Sequence, residues 1–131
     1  MLNISLVIRN DHYGQPILVS IDQNEEQFLE SVNKTFDEPE IQQYVDHLYR
    51  NMRPDGCCFH EPDKPIVIWV KRINRDPHWF GVLSHEIFHA VEAIMHRVGI
   101  KHYKSTSEAW AFMTGNITQS IYGHLMAECV I

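Results

Sequence analysis

The sequence predicts an α+β fold, a small and mostly antiparallel sheet packed on one long central helix. Three observations carry that prediction. Leu2, Ile4, Leu6 and Ile8 alternate with polar Asn3 and Ser5, as a strand with one buried face requires. Ile66 to Val70 is an unbroken β-branched and aromatic run with Pro65 before it. Between Asp76-Pro77 and Gly99 an apolar stripe recurs at helical spacing, framed by strong start and stop signals.

The 131 residues suffice for one domain, 1–131, with a modest core. Its 44% apolar and 21% charged content is that of a folded, water-soluble chain. A net charge of −6, with no basic run beyond Lys71, Arg72 and Arg75, argues against a nucleic-acid partner. The longest wholly aliphatic or aromatic run is Ile66 to Val70, too short for a membrane span, and Met1 to Ile8 has no signal-peptide pattern. A cytoplasmic location is expected. Three cysteines, with Cys57 and Cys58 adjacent, make a poor disulfide framework and read as free thiols in a reducing compartment.

Along the chain, the first strand is followed by a turn at Asn10 to Gly14 and a second strand at Pro16 to Ile21, a hairpin. Asn24 caps a helix that carries Glu25 and Glu26 in its first turn and reaches about Phe36. Pro39 opens a further helix with Ile41, Tyr44, Val45, Leu48 and Met52 on its apolar side. The sequence leaves open whether these are two helices or one bent one. Pro54 to Pro65 reads as a loop. Its Cys57, Cys58 and His60 match no closed zinc spacing, so idle or buried thiols are the expectation. The strand at Ile66 to Val70 is either an interior strand or a free edge able to dock an extended peptide.

The central helix has two sides. Leu83, Ile87, Ala90, Ile94 and Val98 share one; His78, His85, His89, Glu92 and His96 share the other, with Gly81 near that line. His85-Glu86-Ile87-Phe88-His89 is an H-E-x-x-H sequence. Histidines four apart project side by side and can reach one zinc ion, and the glutamate beside them can act on a water at the metal. A third protein ligand is required, with one position left open. Glu92 is about 10 Å along the axis from His85, too far to share one ion with both histidines, and pairs more naturally with His96 at the surface. The better candidate is Glu108. Ser105 to Glu108 has the form of a capping box, and the apolar helix it opens, Ala109 to about Cys129, can fold back through the turn at Gly99 to Lys104. The competing reading is that Glu108 only caps its helix.

An H-E-x-x-H followed by a glutamate on the next helix resembles the gluzincin metallopeptidases. Eighteen residues separate His89 from Glu108, within that family's usual spacing, and the resemblance covers about His78 to Thr118. The metzincin pattern fails at Glu92 and Met95. The chain is also similar to short metallopeptidase-like proteins of phages and prophages. The resemblance implies a minimal zincin-like fold. It implies Zn2+ on His85, His89 and Glu108, with Glu86 as general base in the hydrolysis of a peptide or protein substrate. Phe112 stands where many gluzincins carry an aspartate that orients a zinc histidine. For an oxyanion or substrate contact the chain offers His102, Tyr103 and Tyr122. Two rival readings remain: a zinc-stapled protein-interaction domain with little or no activity, and a chain that holds no metal.

Overall fold

The computed structural model describes residues 2–9, 16–36, 42–128 and 130–131. Two strands open the chain, β1 (Ile4–Ile8) and β2 (Ile17–Ile21), paired antiparallel as the expected hairpin. Helix α1 (Glu25–Thr35) begins at Asn24, whose side chain accepts from the Gln27 amide while the Gln27 side chain accepts from the Asn24 amide. That reciprocal cap satisfies two donors a helix start leaves open. Helix α2 (Gln42–Asp46) runs into a π-helical turn, His47–Asn51. Tyr44, Val45 and Leu48 are buried as expected, but Met52 lies past the turn and is 68% exposed. The expected turn at 10–14, Pro39, Ile41 and Cys129 lie outside the described residues.

The segment expected to be a loop between Pro54 and Pro65 contains a strand, β3 (Gly56–Phe59). It pairs antiparallel with β4 (Ile66–Val70), which pairs parallel with β2. The sheet order is β1-β2-β4-β3, so the sheet is mixed, with one parallel pairing in an otherwise antiparallel set. Strand β4 is interior, not the free edge, and β3 takes the edge position. The all-apolar run of β4 follows from this placement: both its faces are covered, so no position is left for a polar residue.

The two faces carry different helices. Ile17, Val19, Ile21, Ile66, Ile68 and Val70 point to a core shared with α3 (Pro77–Arg97) and α4 (Ser107–Ala127). Leu18, Val67 and Trp69 point the other way, to Phe28, Val32, Val45 and Leu48. Trp69 Nε1 donates to the Tyr49 hydroxyl (3.0 Å), which donates to the Gln23 carbonyl (2.9 Å), so the largest aromatics of this layer bury their polar ends paired. No helix of the described residues is long and apolar enough to cross a membrane.

Helix α3 starts and stops where its signals place it. Asp76 caps it by accepting from the His78 amide (3.0 Å), Pro77 is its first residue, and Gly99 takes φ +75° just beyond it. Leu83, Ile87, Ala90 and Ile94 are buried; Val98 emerges at the end of the stripe and is exposed. Helix α4 starts two residues earlier than expected. Ser105 lies in a 3-10 turn (Lys104–Thr106), so the expected capping box from Ser105 to Glu108 does not form, and Thr106 instead receives the Tyr103 amide (2.8 Å).

Edge strand β3 crosses α3 closely. A Cβ added at Gly56 would sit 2.6 Å from Val82 Cγ1 and 3.1 Å from Glu86 Cγ. Only glycine fits without displacing the side chains of Val82 and Glu86. Gly56→Ala should therefore destabilise the protein by about 1–3 kcal/mol through overpacking. Thermal unfolding of the variant checks this, and an unchanged melting temperature would show that the helix yields without cost.

Candidate metal centre

The sheet and α4 take up the apolar side of α3 and leave its histidine side to solvent. His85 and His89 stand one turn apart, with Nε2 to Nε2 at 3.1 Å and ring centroids at 4.7 Å. Two bonds of about 2 Å meeting at a tetrahedral zinc put their nitrogens about 3.3 Å apart. The pair therefore already has the separation that one shared ion demands.

Glu92 joins this pair in a way the sequence reading missed. Its carboxylate lies 3.1 Å from His89 Nδ1, not on His96 as expected. An ionised carboxylate only accepts, so Nδ1 of His89 carries the proton and Nε2 keeps its lone pair. A carboxylate behind a ligating imidazole fixes its tautomer and raises its basicity. A carboxylate in that position relative to His89 is thus present on α3, whereas Phe112 offers none. The spacing signal was there: residues three apart on a helix are neighbours, as are residues four apart.

Glu86 is the buried member of the site. It is 6% exposed, lies under Gly56, and has one oxygen 4.0 Å from His85 Nε2. Burial pushes its carboxyl above the usual range, while the nearby imidazoles of His85, His89 and His60 pull it back down. A buried carboxylate is costly unless an opposite charge compensates it. A cation held by the two histidines would provide that charge, which is the fit expected of a metal at this position.

Beside the pair lies an open cleft of about 520 Å³, lined by Asp55, Gly56, His78, Gly81, His85 and Glu86 among others. Gly81 leaves the space before His85 free, since an added Cβ there meets nothing within 4 Å. At the far end, His78 Nε2 and Asp55 Oδ2 are 3.0 Å apart. A more enclosed polar groove of about 440 Å³ between β1 and α1 carries amides and hydroxyls and contains neither histidine nor cysteine.

The remaining expected residues are placed elsewhere or stand apart. Glu108 is exposed in the first turn of α4. Among the described residues no three His, Cys, Asp or Glu side chains are gathered as a ligand set, so the structure brings His85 and His89 together without drawing Glu108 in. His102 packs on Trp110 (5.0 Å between ring centroids), Tyr122 stacks on Phe80 (6.0 Å), and Tyr103 is exposed beside the 3-10 turn. None of the three lines the cleft. His60, just past β3, does approach the pair: its ring stacks on that of His89 at 6.2 Å. Cys57 and Cys58 are free and half-buried. Burial and the charge of Glu86 push the Cys57 thiol up to about 11 and Cys58 higher still, so both are neutral and unreactive near pH 7.

No family model, curated protein or solved structure matches this chain.

The raised carboxyl of Glu86 has a consequence for stability in the metal-free protein. Below the ordinary carboxyl range both folded and unfolded chains hold the proton, and burial costs nothing extra. As pH rises towards neutral, the unfolded chain releases its proton more readily than the folded one, and stability is lost. Glu86→Gln removes that loss. The metal-free variant should gain in melting temperature over the native chain as pH rises from about 4 to 7. A difference that stays flat across this range would contradict the burial described.

Proposed function

We propose that the protein is a zinc-dependent hydrolase that cleaves peptide bonds. The observation that carries this reading is the 3.1 Å His85–His89 pair set over the buried carboxylate of Glu86. His85 and His89 each give a ring nitrogen, Glu92 holds His89 in the correct tautomer, and a third protein group completes the set. Glu108 is the third ligand to which the family resemblance points. When bound, zinc supplies Lewis acidity that acidifies a water and polarises a carbonyl.

Glu86 is the base. It sits at the bottom of the cleft wall, next to the histidine nitrogens, and takes the proton from the attacking water. The same carboxyl can then return that proton to the leaving amine, so no covalent bond forms between substrate and protein. For this task the carboxylate must be ionised when attack begins. The positive charge between His85 and His89 favours that form against the cost of burial.

Peptide as substrate is supported by the place of β3. As the edge strand beside the cleft, it presents main-chain groups to which an extended chain can pair. The sequence left that role open for β4, which is interior, and β3 holds the edge. A zinc-stapled interaction domain would share the ligands but have no use for a buried carboxylate beside the ion.

Two substitutions test the reading. Glu86→Gln should keep zinc and lower turnover of a peptide library by about 10²-fold or more. Retained turnover would sink the assignment of the base, and a native protein inert towards every peptide would favour the interaction domain. Glu92→Gln should weaken zinc about 10- to 100-fold, read by competition with a chromophoric chelator; unchanged affinity would show that His89 needs no orienting partner.

A further inference from the structure

The third ligand is the open question of this site, and the structure offers a different side chain from the one the resemblance implies. We propose that His60 is the third protein ligand, closing a three-histidine zinc site with His85 and His89. This inference rests on the zinc reading above and refines it.

The first ground is distance. Two imidazoles bound to one tetrahedral zinc place their ring centroids about 5 Å apart, given zinc–nitrogen bonds of about 2 Å. His60 and His89 have centroids at 6.2 Å with planes only 15° apart. His60 is exposed. Near-parallel rings do not aim their lone pairs at one point, so ligation requires the exposed His60 ring to turn about its side-chain torsions as well as to approach His89 by about 1 Å.

The second ground is the way the backbone of His60 is held. It follows β3, whose Gly56 is already pressed against Val82 and Glu86 of α3. Beyond it, Arg97 donates from one guanidinium nitrogen to the carbonyls of Glu61 (2.9 Å) and Lys64 (2.7 Å). The segment bearing His60 is thus tied to α3 on both sides of His89. Glu108 is exposed in the first turn of α4, and neither it nor His60 is gathered with His85 and His89 into a ligand set in the described residues.

The third ground is donor chemistry. Three neutral imidazoles leave the ion its full double charge, which strengthens the attraction between metal and the buried carboxylate of Glu86. A glutamate ligand would cancel part of it. A three-histidine set with one open position is a known arrangement for zinc that acidifies water.

The test is metal binding, read without turnover. Native protein, His60→Ala, Glu108→Ala and His85→Ala are dialysed against a mild chelator and assayed for zinc. One tight zinc per chain is expected in the native protein and in Glu108→Ala, with loss or at least a 100-fold weakening in His60→Ala and His85→Ala. The cobalt-substituted native protein should show three strongly shifted imidazole N–H proton signals, and His60→Ala, if it can be loaded at high cobalt, two. Circular dichroism of the metal-free variants guards against misfolding, which an exposed residue should not cause. Zinc kept in His60→Ala but lost in His85→Ala, or two imidazole signals in the native cobalt protein, would overturn His60 and leave the hydrolase reading standing. No tight zinc in the native chain would overturn both.

Discussion

The backbone of β3 touches α3 at Gly56, and the geometry of the site depends on that contact. Without a side chain at this position the strand comes near enough to cover Glu86. The carboxylate is thereby removed from water while the histidines one residue before and three after it stay reachable. The rest of the fold sets up this approach. Strand β4 is buried on both faces and fixes β3 by pairing along all four of its residues, and its inner face shares one core with Leu83, Ile87 and Ala90 of α3. Each fully buried Ile, Leu or Val in that core contributes about 1.5–3 kcal/mol. A displacement of the strand from the helix would therefore cost more than the burial of one carboxyl recovers.

Burial makes Glu86 sensitive to whatever charge lies on the histidines. Burial raises its carboxyl, and positive charge on the neighbouring rings lowers it. Two unit charges 4 Å apart attract by about 4 kcal/mol at an effective dielectric of 20, and a divalent ion attracts more. That is of the same order as the penalty for burying a carboxylate, so the charge at the His85–His89 pair decides the state of the base. The geometry couples the two halves of the site. On the proposed reading, an ion bound between the imidazoles would favour the ionised carboxylate, and the ionised carboxylate would help to hold the ion. Glu92 adds a further restraint by committing His89 Nδ1 as a donor, which leaves Nε2 to face His85.

Much of this was legible in the sequence, for reasons that are local. Asp76, Pro77 and Gly99 act through the backbone of their own helix, so the limits of α3 could be read from them. The same is true of Asn24 and Gln27 in α1. The histidine pair was legible because a helix fixes the relation of residues four apart. Strand β3 was not, since Gly-Cys-Cys-Phe carries no clear alternation and is flanked by proline and aspartate, which suggest a loop. Its strand character comes from pairing with β4 and covering α3, both tertiary effects. Whether β4 was interior or a free edge stayed open for the same reason: strand order depends on β3 existing. The approach of His60 to His89 spans twenty-nine residues and depends on that unseen strand.

The thiols of β3 show how the site avoids a rival ligand. Cys58 packs in the core shared with α3, and Cys57 faces the opposite layer. A thiolate this near a zinc pair would compete for the ion, because soft sulfur binds zinc well. Two effects keep both thiols protonated: burial, and the negative charge of Glu86. The second grows as Glu86 ionises. A proton must leave a thiol before sulfur can ligate, and in the metal-free protein the charge of Glu86 opposes this departure. Cys58 then serves as a small apolar filler between β3 and α3, and Cys57 fills the opposite layer.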